Sequence, residues 1–397
     1  MNLAPVNLGE FFRVKHGFAF KGHYFTDSGD HVVLTPGNFH EEGGFRRRLD
    51  KDRYYAGDIP ENFVLKQDDL IVAMTEQGPG LLGSSAWIPD GEQYLHNQRL
   101  GLIVDLDENR MDKRFLYYLF NTRSVRGQLS GSASGTKVRH TAPERIYRVQ
   151  VSLPDIAVQK KIAETITAYD DLIENNRRRI ALLEEAARQL YKEWFVRFRF
   201  PGHEHVPIVD GVPEGWSLQR LTDLAELTMG QSPKSEFYND TGDGLPFHQG
   251  VTNFGFRYVS HKTYCTKPTR LSQPGDILFS VRAPVGRMNM TVDQIVLGRG
   301  ISAMRSRTGH QSFLFYQLKS FFFKEDMVGG GAIYAAVNKK QLENQELLCP
   351  PKNLIEQFDE FASSVDRQIK VLTNANEQLT KARDILIPKL MSGEIVV

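Results

Sequence analysis

The chain has 397 residues, 41% of them hydrophobic and 24% charged, which is enough to bury two or three cores and is unlike a fibrous or disordered sequence. The formal net charge of +1 carries no bulk attraction for nucleic acid, and no apolar run reaches the roughly 18 residues of a membrane-spanning helix. Two cysteines, Cys265 and Cys349, make neither a disulfide framework nor a four-cysteine zinc site, and the start "MNLAPVNLGEFF" lacks the basic and apolar regions of a signal peptide, so a reduced, cytoplasmic protein with no membrane partner is expected.

Residues 1–152 read as a globule of short strand-like runs broken by Gly and Pro. They include the loop "TPGNFHEEGGFRRR" (Thr35–Arg48), the run "DDLIVAMTEQGPGLLG" (Asp68–Gly83), an aromatic helix "RFLYYLF" (Arg114–Phe120) and a glycine-rich turn "SGSASGTK" from Ser130. Residues 153–200, entered at "LPDIAVQKK", carry a heptad seam: Ile162, Ile166, Tyr169, Ile173, Asn176, Ile180, Leu183, Ala187, Leu190 and Trp194 alternate four and three apart. Proline and glycine in "RFPGHEHVPIVDGVPEGW" (Arg199–Trp216) predict a linker over 201–213. The pair His203 and His205 shares no helical face and has no further ligand in view, so it reads as solvated or structural.

Residues 214–348 repeat the first globule. "SFLFYQL" (Ser312–Leu318) answers the aromatic helix, "GDILFSVRAPVGRM" (Gly275–Met288) answers the Asp68 run, "GRGISAM" around Arg299 answers "QRLGLIV" around Arg99, and "VGGGAIYAAVNKK" from Val328 answers the glycine-rich turn. Residues 349–397 repeat the heptad seam with Phe358, Ala362, Val365, Ile369, Leu372, Asn376, Leu379, Arg383, Leu386 and Leu390. Helices of about 40 residues extend about 60 Å, beyond what a small domain needs, so they read as struts between two heads. An antiparallel pairing that sets Ile162 against Leu390 and Trp194 against Phe358 also sets Asn176 against Asn376. A buried amide pair there specifies register at a cost in stability, whereas two exposed positions are the plainer alternative. The predicted class is α+β: two pseudo-repeated α/β domains and two long helices packed as an antiparallel coiled coil.

The chain lacks the phosphate-binding glycine-lysine loop, the strand-linked G-x-G-x-x-G, the nucleophile elbow and H-E-x-x-H. It also lacks an Asn/Asp-Pro-Pro-Tyr/Phe adenine-methyltransferase segment and a nuclease carboxylate-lysine constellation. No catalytic residue, cofactor or metal ligand is assigned to it. An acid-base site on Asp68, Asp69 and Asp276 is conceivable, but these precede apolar runs where turn capping is the ordinary role.

Recognition chemistry remains. The 257–307 segment holds nine Lys and Arg against two Asp, a local basicity suited to phosphate. Arg and Lys also match guanine edges, and Asn and Gln match adenine. The loop "FHQGVTNFGFRYVSHK" (Phe247–Lys262) resembles Thr35–Arg48. The candidate DNA contacts are Asn38, Arg46, Arg47, Arg48, Lys137, Arg139 and His140 in the first half. In the second they are Gln249, Asn253, Arg257, Lys262, Arg282, Arg287, Lys339 and Lys340. For Arg46 to Arg48 a solvated turn is the alternative; for Asn38, Gln249 and Asn253 it is turn formation or capping.

Two globules each followed by a long helix, with "LPDIAVQKKIAETITAYDDLIENNRRRIALLEEAARQLYKEWFVRFRFPG", "VPEGW" and the C-terminal "ILIPKLMSGEI", resemble the specificity subunit of a type I restriction-modification enzyme over the whole chain. The resemblance implies two target recognition domains, each reading one half of a split site on double-stranded DNA, and a helical spacer that fixes the gap. It implies two adenine methyltransferase subunits docked on this scaffold and motor-nuclease subunits joining them, with S-adenosylmethionine, ATP and magnesium belonging to those partners. A coiled-coil adaptor that joins proteins without reading DNA is the competing reading.

Overall fold

The structure is a computed structural model that describes residues 5–49, 51–78, 80–322 and 336–395; Val328 to Ala335 of the second glycine-rich turn lie outside these. Backbone contacts divide the chain into two units, Met1–Glu174 with Glu377–Val397, and Asn175–Asn376.

The first unit is built on an antiparallel sheet in the order Arg13–His16, Leu100–Val104, Leu70–Ala73, Ser85–Trp87. Leu70–Ala73 reads LIVA and is buried along its whole length, the pattern of a central strand covered on both faces. A second sheet, in the order Phe25–Thr26, Arg53–Tyr55, His31–Val33, Gln93–Leu95, Val64–Leu65, contains a parallel pairing of Tyr94 with Val32. The aromatic helix Lys113–Phe120 is capped by Asp112, whose carboxylate accepts from the Phe115 amide at 2.9 Å. Phe115, Leu116, Leu119 and Phe120 then join Phe12, Leu70 and Val72 in one core, together with Ile162 and Ile166 from one long helix and Leu390 from the other.

The second unit repeats this frame. Its antiparallel sheet runs Ala225–Met229, Ile301–Ser306, Ile277–Ser280, Met288–Met290, and its companion runs Tyr238–Asn239, Tyr264–Cys265, Leu245–His248, Val296–Leu297, with Phe247 parallel to Val296. A short ladder ties the start of each globule to the strand before its long helix: Val6–Asn7 with Gln150–Val151, and Ser217–Arg220 with Glu346–Cys349. The internal repeat read from the sequence is therefore a repeat of strand order and pairing.

The long helices are Ile156–Tyr191 and Lys352–Met391. Ile162, Ile166, Ile173, Ile180 and Ala187 of the first seam are buried, as are Phe358, Ala362, Val365, Ile369, Leu372 and Leu390 of the second, which is what a heptad stripe facing a partner requires. Within the second unit Trp194 lies against Phe358 at 6.3 Å between ring centres, and Asn176 bonds Asn376, so the two segments run antiparallel. The first helix stops short of the proline and glycine that mark its end in the sequence. Lys192–Val196 form a wider π turn, and Phe198 then takes a left-handed φ of 58°, which brings Phe195 and Phe200 into the core beside Trp216.

Candidate nucleic-acid interface

Both units present a hairpin made in the same way. In the first, a 3-10 turn at Pro36–Asn38 leads into a bridge between Phe39 and Phe45, and the Arg46 amide donates to the Asn38 carbonyl at 2.9 Å. In the second, a 3-10 turn at Val251–Asn253 leads into a bridge between Phe254 and Val259, and the Ser260 amide donates to the Asn253 carbonyl at 3.0 Å. The similarity of the two loop sequences thus reflects one backbone device.

A second strip lies beside each central strand. Arg139–His140 pairs with Thr75–Glu76 in the first unit, and Ala336 bridges Arg282 in the second, where the Val337 amide donates to Val281 at 2.9 Å. The "SGTKVRH" and "AVNKK" segments are thereby placed next to the strand ends within the Asp68 and Gly275 runs.

A third loop pair is held by glycine. A Cβ on Gly230 would run into the carbonyls of Gly298 and Ile301, and one on Gly17 into Asn97 and His96, so each unit needs a bare backbone where these loops cross. In the second unit Ser232 sits in this crossing, donating to Gln249 at 2.7 Å and accepting from the Arg299 amide at 3.1 Å.

The candidate residues fall into two groups. Arg46, Lys137, His140, Gln249, Lys262, Arg282, Arg287, Lys339 and Lys340 are exposed and available to an anionic ligand, although Lys339 also lies 3.4 Å from Glu343. Arg47, Arg48, Arg139 and Asn253 are half-buried. Arg47 pairs with Asp52 and with Glu92, and Arg139 with Glu76 at 3.3 Å, so Arg47 serves the first hairpin and Arg139 the strip beside Thr75–Glu76 from within.

Asn38 and Arg257 differ from their expected roles as DNA contacts. Asn38 is buried; its Oδ1 accepts from the Thr35 amide at 2.9 Å and its Nδ2 donates to Asp52 at 2.7 Å, which is the turn-forming alternative. Arg257 is also buried. Its Nη1 lies 3.1 Å from Glu184, its Nη2 bonds Asp366, and its guanidinium lies 3.5 Å from the centre of the Phe315 ring. Burial alone disfavours its charge, but Asp366 and Glu184 outweigh that and hold the group above its usual range. A basic residue in a basic loop looks the same in sequence whether it faces out or in. The carboxylates that turn this one inward are 73 and 109 positions away.

Asp69 and Asp276 each close a turn, accepting from the Lys66 amide at 2.8 Å and the Gln273 amide at 2.7 Å; Asp68 takes a positive φ of 62°. Asp69 and Asp276 thus take the turn-capping role at matching places in the two repeats. Sequence reasoning missed the arrangement of His248, His261 and Asp293: His248 Nε2 is 2.9 Å from His261 Nδ1, and His261 Nε2 is 3.1 Å from Asp293. Burial, then the neighbouring His261, pushes His248 down to about 4, so it is neutral at pH 7. Among the described residues no group of three His, Cys, Asp or Glu could hold a metal ion, and no helix is long and apolar enough to cross a membrane.

The family model of the type I restriction modification DNA specificity domain matches this chain twice, over residues 2–185 and 213–381. The chain belongs to that family. Among its relatives, a protein of Methanocaldococcus jannaschii named for the MjaX type I restriction enzyme specificity subunit is 30% identical over 323 residues, covering 77% of this chain and 73% of the relative. The HindI specificity subunit of Haemophilus influenzae is 26% identical, covering 74% and 80%. A crystal structure of the type I restriction-modification S subunit from M. genitalium superposes with a TM-score of 0.62 at 16% identity, covering 98% of this chain and 96% of that one, which supports the fold. The two matches frame the two copies of the sheet, hairpin and helix described above. Membership in a DNA specificity family disfavours an adaptor that ignores DNA, and such specificity subunits are non-catalytic in themselves.

Proposed function

We propose that each unit reads one half of a bipartite site on double-stranded DNA, and that the two long helices set the distance between half-sites and dock two adenine methyltransferase subunits, which motor-nuclease subunits join for cleavage. S-adenosylmethionine, ATP and magnesium belong to those partners in this reading, and the chain acts in the cytoplasm where they work. The observation that carries it is the duplicated frame with unlike tips. The same 3-10 turn and hairpin present Glu41, Glu42 and Arg46 in one unit and Phe256 and Lys262 in the other, as two readers of two different short sequences would.

Exposed cations position a protein on the phosphate backbone, while base edges in the major groove supply specificity. Half-sites about one helical turn apart, roughly 34 to 36 Å, present the same face of the duplex, a separation within reach of helices of 36 and 40 residues. The test is selection of the assembled complex against duplexes with two randomised blocks and a variable gap. Enrichment of two fixed blocks at one gap supports the reading; one continuous block, or no enrichment, refutes it. Replacing the 247–262 loop should change one block alone and leave assembly intact.

A further inference from the structure

The two repeats place an aspartate at the same point of each long helix, and each aspartate takes an arginine, but from different sources. In the first unit Asp170 accepts from the Tyr118 hydroxyl at 2.7 Å and from Arg383 of the other long helix at 2.6 Å. In the second unit Asp366 accepts from Ser312 at 2.7 Å and from Arg257, which lies in the recognition hairpin. Arg257 also reaches Glu184 on the first long helix, and Lys319 of the second unit's aromatic helix, Gln311–Phe322, lies 2.6 Å from the same carboxylate.

The hairpin around Arg257 is stitched to the strand Met288–Met290 and to the second long helix. The Met290 amide donates to the Arg257 carbonyl at 2.8 Å, Asn289 donates to the Gly255 carbonyl at 3.0 Å, and the Tyr258 hydroxyl donates to the Asp366 carbonyl at 3.3 Å. Phe256 and Lys262 stay exposed. The corresponding hairpin of the first unit is held differently. Arg126 donates to the Glu41 carbonyl at 2.9 Å, and the Gly44 amide donates to Ser85 at 2.8 Å; neither contact involves a long helix.

We propose that Arg257 is a positioning residue for one half-site: its two ion pairs fix the hairpin Val251–Lys262 to both long helices, so that hairpin placement and helix register form a single coupled state. This rests on the DNA-reading function proposed above. Two carboxylates from two helices meeting one planar guanidinium leave little freedom of orientation, because its donors lie in a fixed fork that an ammonium does not reproduce.

The test uses the full chain assembled with its methyltransferase subunits and compares wild type with Arg257→Lys on the selected duplex, on duplexes altered in either half-site, and on gaps one base pair longer or shorter. Arg257→Lys is expected to lower discrimination at one half-site and at the gap by about tenfold, the size of one broken charge-assisted contact, and to leave the other half-site unchanged. Arg383→Lys, at the matching aspartate, touches neither hairpin and is expected to lower discrimination at that half-site less than Arg257→Lys does. Equal loss at both half-sites, or a lower melting temperature with unaltered discrimination, overturns the proposal by reducing Arg257 to a stabilising contact. Should Arg257→Lys fail to fold, Glu184→Gln, which keeps shape and removes one partner, is read by the same criteria. A wild-type complex with no sequence discrimination would refute the proposed function itself.

Discussion

Replacing the amide pair of the long helices by leucine tests what a polar seam position is for. Asn176 is 5% exposed, and its Nδ2 donates to Asn376 Oδ1 at 2.9 Å; Asn376 is half-buried. A leucine at 176 would gain about 2 kcal/mol from burial and one at 376 about half that, while the lost hydrogen bond costs about 1 kcal/mol. The double variant Asn176→Leu with Asn376→Leu should therefore be more stable by about 2 kcal/mol, which for a unit of this size raises the melting temperature by about 4 to 8 °C. Asn176→Leu alone should be less stable than the double variant, because it breaks the bond and leaves an amide against leucine. Calorimetry checks the stability, and competition between duplexes whose gap differs by one base pair checks the register. The double variant should accept the altered gap more readily. A less stable double variant, or one that keeps the wild-type gap preference, would refute the reasoning.

Two further perturbations follow from buried groups. His96 and His248 are buried, and burial lowers both to about 4. A histidine whose folded value lies below its unfolded value near 6.5 supports stability above that value and loses it as pH falls toward 4. Urea titrations should show a loss of about 2 kcal/mol per histidine between pH 7.5 and 5, and His248→Gln should flatten that dependence; an equally steep curve in the variant would refute the assignment. Gly230→Ala should cost about 2 kcal/mol or more because the new methyl meets backbone carbonyls, whereas Gly127→Ala, in a helix with open space around it, should be neutral or stabilising by up to about 1 kcal/mol. Denaturant midpoints for the two variants decide this.

The features readable from the sequence were those with a period. The heptad seams, the repeat, and the correspondence of Thr35–Arg48 with Phe247–Lys262 all rest on spacing, and spacing is fixed locally by helix and hairpin geometry. The fate of individual polar side chains was not readable, because it is decided by partners far along the chain. Asn38 turns inward to Asp52, and Arg257 to Glu184 and Asp366, while Arg46 and Lys262, from the same loops, remain outside. The seam shows the same limit. Arg383 occupies a heptad position where an apolar residue is ordinary, and its partner Asp170 lies at a neighbouring position off the seam, which a heptad pattern does not reveal.

Polar seam positions also explain how a repeated heptad avoids being ambiguous. A slip of one heptad between two antiparallel helices leaves several apolar pairs apolar, Ile166 moving from Leu386 to Leu379 and Ile173 from Leu379 to Leu372, so burial alone separates the two registers weakly. Such a slip would set Asn176 against Ile369, a residue with no exposure, and the amide would be buried without its partner at a cost of about 1 to 3 kcal/mol. Asp170 and Arg383 act in the same sense in the first unit, since separating them strands a carboxylate beside the Tyr118 hydroxyl and an arginine in a half-buried seam. The amide pair weakens the helix contact it occupies relative to leucine and penalises the slipped alternative by a comparable amount, so its effect is on the choice of register rather than on stability.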